Sequence, residues 1–383
     1  MSKPVNKIIA DTFMDLANAL ETGSFKSARI VLTGPGSEHG EDNMIQGAAI
    51  AASRGCNVIY AGSRAADGVH TVETSCDSEA HEVMEALLKS GEADGAVTMH
   101  YAFPIGVSTV GRVVTPGLGK TMYIATTTGT SSTDRTCGMV LNAIYGIIAA
   151  KSCGVKDPTV GILNVEGARQ AEMSLKELQK NGFDITFALS GRSDGGCVMR
   201  GNDVLTGACD VLVTDPLTGN ILIKMLSSFT TGGSFETLGW GYGPGIGQGF
   251  DKLILILSRA SGAPLVANAI EYASELVRGS YKDVAAFVFA AAHKAGLSKI
   301  LDSLRAKKAP AEISPVVTAP PKEVVTAEIS GIEITDIEDA VAALWQENIY
   351  AMSGMGCTGP VVMVSEGNHP RAVGILTGKG YIG

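Results

Sequence analysis

Short apolar segments alternate with helical segments along most of the chain. The apolar segments end in Gly, Thr, Asn or Asp, as buried strands do, and they read ARIVLTGPG, CNVIYAG, DGAVTMH, TMYIATT, TVGILNV, FDITFALS and CDVLVTD. Helical stretches such as EDNMIQGAAIAASRG and SEAHEVMEALLKSG separate several of them. This alternation predicts an α/β fold with a mostly parallel sheet covered by helices, and ligand-binding groups in the loops that follow the carboxyl ends of the strands.

The composition is that of a globular protein with a large core. The 383 residues are 45% hydrophobic and 18% charged, which is enough for two or three domains or subdomains. The net charge of −9 is spread along the chain without a block of Lys or Arg, which argues against binding of nucleic acid or of an anionic membrane surface. No apolar run is long enough to span a membrane, and MSKPVNKIIADTF lacks the apolar stretch of a secretory signal. We therefore expect a cytoplasmic protein.

The cysteines are widely spaced and odd in number, at positions 56, 76, 137, 153, 197, 209 and 357. Without a CxxC pair or a Cys/His cluster, they predict neither a disulfide framework nor a zinc site, and no carboxylate or histidine spacing predicts another metal. Most lie in apolar or helical contexts, where a small buried side chain is the expected role. Cys357 differs, because the glycines of SGMGCTGP leave a thiol open to approach. A buried cysteine in a core turn is the alternative interpretation.

The C-terminal part of the chain begins with a segment whose composition differs from that of the rest. Residues 306–323, AKKAPAEISPVVTAPPKE, contain four prolines and predict a linker. Residues 324–383 form an appended unit in which VTAEISGIEI, GPVVMVS and RAVGILTG are expected to be strands. DIEDAVAALWQENIYAM is expected to be a helix, with Asp336 near its N-cap. Cys357 belongs to this unit, which is expected to pack against the main body or a partner.

Three segments of the main body carry candidate anion-binding groups. The first, CDVLVTDPLTGNILIKML, predicts a buried strand and then a helix that carries Lys224. The polar turn predicted between them contains Asp215, Thr218, Gly219 and Asn220. Free N–H groups at a helix N-terminus and a nearby lysine can bind an anion. An Asx-type turn that caps the helix, with a solvated lysine, is the alternative.

The other two segments also place polar groups after apolar runs. Ser258 and Arg259 follow LILIL, where an Arg fork and a hydroxyl match phosphate oxygens, unless they are only a surface pair that begins a helix. Thr130 and Ser131 belong to a hydroxyl-rich stretch, ATTTGTSSTDR, that either binds a polar substrate or caps the next helix. TGPGSEHGE lacks the lysine and the glycine spacing of a phosphate loop, so nucleotide binding is not predicted there.

Two of these segments resemble known enzymes. DVLVTDPLTGNILIKML resembles the strand, turn and helix of the phosphate acyltransferases of phospholipid synthesis, and GPGIGQGFDKLILILSRASGAPLVANAI resembles the C-terminal signature of phosphate acetyltransferases. The resemblance implies an isocitrate/isopropylmalate-dehydrogenase-like α/β/α fold for residues 1–305. It implies a first subdomain of about 1–140 and 245–305, a second of about 141–244, and a cleft between them.

The same resemblance implies roles for individual residues. Ser258 and Arg259 match the pair that contacts acyl phosphate in the acetyltransferases, and Asn220 and Lys224 match positions that line the cleft. One departure follows the pair: those enzymes carry an acidic residue a few positions later, whereas this chain has GAPL. The base that would activate a coenzyme A thiol is therefore expected to be absent.

As a whole, the chain is similar to the alpha subunits of component C of glycine/sarcosine/betaine reductase complexes. This resemblance implies that a selenoprotein A delivers a carboxymethyl group, that Cys357 carries the two-carbon unit as an acetyl thioester, and that orthophosphate, a co-substrate, releases it as acetyl phosphate. No bound cofactor is implied. A component C beta subunit is the implied partner in a homo- and hetero-oligomer. Around Cys357, backbone N–H groups of Gly356, Thr358 and Gly359 are expected to face the acyl oxygen.

Two alternatives to this function stay open. In the first, the chain is a stand-alone phosphate acyltransferase that uses acyl carrier protein or coenzyme A. In the second, it is a non-catalytic subunit that supports a catalytic beta subunit. The missing acidic residue argues against a coenzyme A enzyme, and the glycine-lined cysteine argues against a non-catalytic role.

Overall fold

A computed structural model describes residues 13, 28–192, 196–307, 317–333, 336–356 and 359–382. Its strands are β1 Arg29–Thr33, β2 Asn57–Gly62, β3 His70–Glu73, β4 Gly95–Thr98, β5 Val107–Val114, β6 Thr121–Thr130, β7 Thr159–Leu163, β8 Thr186–Phe187, β9 Val198–Met199, β10 Val211–Val213, β11 Gly243–Ile246, β12 Ile254–Ile256, β13 Ala327–Ile329, β14 Ala351–Gly356 and β15 Gly359–Val364. Its helices are α1 Gly40–Ser53, α2 Asp77–Ser90, α3 Arg135–Ser152, α4 Ala168–Lys180, α5 Gly201–Thr206, α6 Pro216–Ser228, α7 Ala263–Arg278, α8 Tyr281–Lys294, α9 Leu297–Lys307, α10 Ile337–Gln346 and α11 His369–Gly378.

The first twelve strands form one sheet in the order β3-β2-β1-β4-β12-β11-β5-β6-β10-β7-β8, with β9 beside β7. Neighbours pair in parallel except around β11 and β5, where β11 is antiparallel to both β12 and β5, and β5 is antiparallel to β6. The prediction of an α/β fold with a large, mostly parallel sheet is confirmed. The carboxyl ends of β1, β4 and β12 meet at one edge because these three strands are parallel neighbours.

Alternate strand residues pack against helices on opposite faces of the sheet. In β1, Ile30 and Leu32 join one buried cluster, which includes α1, α3 and α7, whereas Val31 joins a second cluster, which includes α2 and α6. Both faces of a strand in such a sheet must be apolar, and this explains why the strand sequences are continuous apolar runs. The result is a sheet with a helical layer on each face.

The sheet does not divide at the predicted subdomain boundary near residue 140. β5 and β6 lie before that position in the chain, but β6 pairs with β10, which lies after it. Antiparallel pairing of β5 with β11 then joins these strands to the rest of the sheet. The division of the body into two subdomains stays a prediction.

The C-terminal unit has its own sheet and apolar cluster. β13, β15 and β14 form an antiparallel sheet on which α10 and α11 pack, through residues such as Leu344, Val362 and Leu376. The prediction of a strand at RAVGILTG is wrong, because this segment lies in α11. Pro370 occupies the first turn of this helix, and Ala372 and Leu376, four residues apart, are both fully buried.

Hydrogen bonds join the C-terminal unit to the main body in the described part of the chain. The Arg169 N–H donates to Glu333 Oε1 at 2.8 Å, and Gln170 Nε2 donates to Asp336 Oδ2 at 2.7 Å. The unit therefore contacts the start of α4. The predicted linker begins within α9, continues through residues 308–316, which lie outside the described residues, and has no regular secondary structure at 317–323.

Within the described part of the chain, no single helix is both long and apolar enough to cross a membrane. The helix pair Tyr281–Lys294 and Leu297–Ala306, bent by 63°, meets the length and composition criteria only when the two are taken together.

The helix α6 packs directly on β6 because Gly219 has no side chain. A Cβ at this position would lie 1.7 Å from the carbonyl oxygen of Thr126. One turn later, Ile223 and Leu226 are buried, and these three residues fix the side of α6 that faces the sheet. The opposite side exposes Leu217, Ile221 and Met225.

We predict that Gly219→Ala destabilises the protein by about 1–3 kcal/mol, because the added methyl group meets backbone that no rotamer change can move. The midpoint of urea unfolding would measure the loss. Gly201→Ala is the matched control, since Gly201 also lies in a helix but a Cβ there meets nothing within 4 Å. Equal stability of the two variants would contradict the packing described for α6.

Candidate functional site

The turn between β10 and α6 presents the first group of candidate residues. Asp215 is the N-cap of α6: its Oδ1 accepts hydrogen bonds from the N–H groups of Leu217 and Thr218, each at 3.1 Å, and its Oδ2 accepts one from Thr218 Oγ1 at 2.6 Å. These contacts agree with the capping interpretation of Asp215. Asn220 Nδ2 donates to the Thr127 carbonyl at 3.1 Å, so this side chain ties α6 to β6.

Ser258 and Arg259 lie two and three residues after β12, as predicted for a strand end. Ser258 is half-buried, and Arg259 is exposed. The carbonyl of Arg259 accepts the N–H of Glu38 at 2.9 Å, which places the loop after β1 beside this pair. Asn43 holds the other side of the turn, since its Nδ2 donates to the Ser261 carbonyl and its Oδ1 accepts the Ala263 N–H, both at 2.8 Å.

Glu236 is the residue that joins the two segments, and it was not among the residues predicted from the sequence. It is 4% exposed. Ser227 Oγ, from the last turn of α6, donates to its Oε2 at 3.0 Å. Ser258 lies close enough to the carboxyl group to lower its pKa. Lys224 lies close enough to act on its charge. Ser258 and Lys224 are thus brought to the same carboxylate.

The backbone of Glu236 is also attached to the Ser258 turn. The Glu236 N–H donates to the Ala260 carbonyl at 3.0 Å, and the Glu236 carbonyl accepts the Gly262 N–H at 2.8 Å. Glu236 and Ser261 form an isolated parallel bridge. The Glu236 N–H and carbonyl are therefore both fixed to the Ser258 turn, which sets the position from which its side chain extends.

Burial raises the pKa of the Glu236 carboxyl above its ordinary value of 4.5. Ser258, the hydrogen bond from Ser227 and the charge of Lys224 lower this pKa, but burial, with the negative charge of Glu38, outweighs them. The site therefore contains a carboxyl group that resists ionisation.

The structure places one acidic residue, Glu236, beside the turn that carries the Ser258–Arg259 pair, and the absence of a base for a coenzyme A thiol stays a prediction. GAPL does follow the pair in the sequence, but Glu236 reaches Ser258 from the segment between α6 and β11. The only sequence signal is a single Glu in the glycine-rich stretch TGGSFETLGWG. The contact does not by itself make Glu236 a base for a thiol.

A cavity of about 380 Å³ lies beside this site, at the carboxyl ends of β4, β6 and β12. It is lined by Met99, His100, Phe103, Thr128, Gly129 and Tyr242. Ser258 lies close enough to the Tyr242 phenol to lower its pKa, so the cavity wall is near the Ser258 turn.

The hydroxyl-rich segment after β6 is divided between surface and interior. Thr130 is exposed. The Ser131 hydroxyl is buried, at hydrogen-bond distance from Asn142 Oδ1 (2.7 Å) and the Gly138 carbonyl (3.2 Å). Asn142 Nδ2 in turn donates to the Thr214 carbonyl at 3.1 Å. Ser131 therefore supports the strand ends from inside, and its binding of a ligand stays a prediction.

Cys357 and Thr358 lie outside the described residues. The flanking strands β14 and β15 are antiparallel, and their register ends with Gly356 paired to Gly359. In the sequence, Cys357 and Thr358 are the two residues between these paired glycines.

The other cysteines behave largely as small buried side chains. Burial raises the pKa of Cys153 to about 11, and those of Cys197 and Cys209 to about 12. Such thiols are poor nucleophiles because the thiolate is the reactive form. Among the six described cysteines, only Cys76 is exposed.

Comparisons with known proteins identify relatives of the chain. Residues 28–363 match a family model described as "Fatty acid synthesis protein". The chain is 55% identical over 381 residues, 99% of both chains, to the glycine/sarcosine/betaine reductase complex component C subunit alpha of Peptoclostridium acidaminophilum. It is 29% identical over 186 residues to the phosphate acyltransferase of Lysinibacillus sphaericus, covering 45% of this chain and 54% of that protein. A branched-chain phosphotransacylase structure from Enterococcus faecalis V583 superimposes with a TM-score of 0.46 and 16% identity, over 65% of this chain and 99% of that chain.

We predict that the free energy of unfolding of the Glu236→Gln variant, relative to that of the wild type, increases as the pH rises. Since the folded-state pKa of Glu236 lies above its unfolded value near 4.5, the native protein holds the extra proton between the two values. The wild type loses that contribution as the pH passes through the folded pKa, whereas the Gln variant has none to lose. Urea unfolding of both proteins between about pH 5 and about pH 8 measures the difference.

Glu172→Gln is the control of opposite sign. Glu172 is also buried, but hydrogen bonds from Lys176 and Arg169 outweigh the burial and hold its pKa below the ordinary value. Its substitution should lower the stability by a constant amount across the same pH range. A pH-independent difference between wild type and Glu236→Gln would contradict the environment described for Glu236.

Proposed function

The chain belongs to the family of component C alpha subunits of glycine/sarcosine/betaine reductase complexes, and from this premise we propose that it transfers an acetyl group from a thioester on Cys357 to orthophosphate. The geometric observation that supports the proposal is the buried Glu236, which joins the end of the helix that carries Lys224 to the turn that carries Ser258 and the exposed Arg259. Its relationship to phosphate acyltransferases supports acyl transfer as the type of reaction.

The proposed step is an acyl transfer without a change of oxidation state. A phosphate oxygen attacks the thioester carbonyl carbon of acetyl-Cys357 and forms the C–O bond. The tetrahedral intermediate collapses, the C–S bond breaks, and the Cys357 thiolate leaves with the electron pair. The products are acetyl phosphate and the free thiolate, which is ready for another acyl group.

Three side chains are proposed to hold the phosphate. Arg259 offers a fork of N–H donors, Lys224 adds a positive charge, and Ser258 adds a hydroxyl. Asn220, Asp215, Thr130 and Ser131 complete the proposed lining of the site. Phosphate held by these groups would be aligned with the carbonyl, which is the main requirement for the reaction.

The glycines around Cys357 are proposed to stabilise the developing oxyanion. Backbone N–H groups of Gly356, Thr358 and Gly359 would donate to the acyl oxygen. The loss of one such donor typically costs about 2.7–4 kcal/mol of transition-state stabilisation. In this proposal the C-terminal unit delivers the acyl group to the phosphate site of the main body.

The wider setting belongs to the same proposal. A selenoprotein A that carries a carboxymethyl group would supply the two-carbon unit, and a component C beta subunit would complete a cytoplasmic hetero-oligomer used in amino-acid fermentation of the Stickland type. The main body would adopt the two-subdomain arrangement of the isocitrate/isopropylmalate-dehydrogenase-like fold, with the phosphate site in its cleft.

We predict that acetyl phosphate acetylates Cys357 by reversal of the transfer. Intact-protein and peptide mass analysis should find one acetyl group on Cys357, and excess orthophosphate should remove it. Cys357→Ala should abolish the adduct. Cys76→Ala is the matched control, because Cys76 is an exposed cysteine far from Cys357 in the sequence and its loss should change nothing.

Arg259→Ala tests the phosphate site separately. The variant should acetylate Cys357 at least 100-fold more slowly, on the order of the loss of about 3 kcal/mol for a charged hydrogen bond. If Cys357 is never acetylated although the complete complex forms acetyl phosphate, the carrier lies in another subunit. Transfer of acetyl to coenzyme A by the isolated chain, independent of Cys357, would favour a stand-alone phosphate acyltransferase.

A further inference from the structure

Both ring nitrogens of His81, on α2, face backbone carbonyl oxygens. Nδ1 lies 2.8 Å from the Asp77 carbonyl, one turn earlier in the helix, and Nε2 lies 2.7 Å from the His100 carbonyl, beyond the end of β4. A carbonyl oxygen only accepts hydrogen bonds, whereas a neutral imidazole has one nitrogen that donates and one that accepts. Both contacts are hydrogen bonds only when both nitrogens carry a proton. The geometry therefore matches the imidazolium form of His81.

The neutral form of His81 has another partner within reach. Thr98 Oγ1 lies 3.2 Å from His81 Nε2, and the Thr33 hydroxyl donates to the same Oγ1 at 2.8 Å. The Thr98 hydrogen is therefore available for either of two acceptors, the His100 carbonyl at 3.3 Å or a deprotonated Nε2. Once Nε2 has lost its proton, its lone pair opposes the His100 carbonyl and accepts the Thr98 hydrogen instead. The neutral ring then keeps its hydrogen on Nδ1.

This exchange takes place at the edge of the sheet that carries the candidate site. Thr33 and Thr98 end β1 and β4, and the Thr98 carbonyl accepts the Leu257 N–H at 2.8 Å, next to Ser258. His100 is one of the residues that line the cavity of about 380 Å³ beside the Ser258 turn. A change in the position of the His100 carbonyl therefore alters the wall of that cavity.

The carboxylates of α2 favour the protonated form of His81. Asp77 Oδ1 lies 3.5 Å from Nδ1, and the charge of Glu85, one turn later, acts in the same direction. Burial lowers the pKa of His81, but the two carbonyls and these two carboxylates outweigh it and hold the pKa above its ordinary value of 6.5. The electrostatic surroundings thus agree with the form that the hydrogen bonds require.

Three neighbouring segments bring further titratable groups to this region. Lys252 Nζ lies 2.7 Å from the Glu85 carboxylate and offsets part of its charge, and the Tyr101 hydroxyl donates to the same carboxylate at 2.8 Å. Asp77 contacts the His81 ring directly, so it is the charge to remove in a test. The titratable residues of these segments are Lys252 before β12, His100 and Tyr101 after β4, and Glu38 and His39 after β1.

We propose that His81 is a positioning residue of the candidate site: its imidazolium holds the His100 carbonyl at the cavity wall, and its neutral form releases that carbonyl in exchange for the Thr98 hydroxyl. The proton passes from Nε2 to solvent, and no other covalent bond changes. The wall of the cavity is therefore fixed at low pH and loosened as the pH rises. Only the effect of this change on acetyl transfer rests on the proposed function.

Nuclear magnetic resonance of the full-length chain, with histidine labelled in the ring nitrogens and the carbonyl carbon, tests the exchange directly. Since the folded-state pKa of His81 is raised, both of its nitrogens should be protonated at about pH 6, and Nε2 should lose its proton as the pH rises. The carbonyl signal of His100 should follow the same titration. The spectrum of His81→Gln assigns the His81 signals.

Asp77→Asn should move this titration to lower pH, because it removes a charge that favours the imidazolium. His293→Gln is the control and should leave it unchanged, since His293 lies beside Ser298 and Gln248, far from His81 in the sequence. A neutral His81 at about pH 6, or a neutral form with its hydrogen on Nε2, would overturn the inference. A His100 carbonyl signal that does not titrate with His81 would overturn it as well.

The rate of Cys357 acetylation by acetyl phosphate measures the consequence for the site. Ionisation of Cys357 changes this rate in every variant, so the informative quantity is the ratio of the wild-type rate to that of His81→Gln at each pH. We expect this ratio to fall by up to about tenfold per pH unit above about pH 6.5, and to level off once His81 is neutral. The ratio of the wild-type rate to that of His293→Gln should stay constant.

The two measurements separate this inference from the proposed function. A rate ratio for His81→Gln that does not change with pH, although His81 titrates as expected, would overturn the positioning role. A wild type that is never acetylated would overturn the proposed function, and the magnetic resonance titration would then decide the exchange at His81 by itself.

Discussion

The hydrogen bonds of one buried residue, Glu236, hold the candidate site together. Its carboxylate receives a hydrogen bond from Ser227 at the end of α6, and its backbone pairs with the Ser258 turn after β12. A buried carboxylate with these partners is costly to ionise and costly to leave without them. The positions of Lys224 and Arg259 relative to each other therefore depend on Glu236.

The sheet supplies the frame in which this contact forms. Parallel pairing of β1, β4 and β12 brings three loops to one edge, and the loop after β1 contacts Arg259 through the Glu38 N–H. The close approach of α6 to β6 at Gly219 sets the distance between the sheet and the helix that carries Lys224. Rigid elements thus position the polar groups, and the loops contribute mainly backbone contacts.

Local sequence patterns predicted most helices and strands well, but they did not predict which of these elements pair or pack together. Asp215 was recognised as a possible cap because an acidic residue before Pro216 is a local signal, and Ser258 was placed at a strand end for a similar reason. The strand predicted at RAVGILTG was wrong because a short apolar run does not distinguish strand from helix, and the contacts of Ala372 and Leu376 with the small sheet decided the outcome. The pairing of β6 with β10 crosses the predicted boundary near residue 140, since apolar alternation does not specify which strands pair.

The alternation of strands and helices, the polar candidates after strands and the motifs that resemble those of acyl-transferring families are all readable from the sequence. These properties depend on residues close together in the chain. The sequence does not reveal that Glu236 joins the end of α6 to the Ser258 turn, or that Ser131 supports the strand ends from inside, and these contacts come from the fold. Such contacts depend on strand order and helix packing, because a hydrogen bond between distant segments has no periodic signature in the sequence.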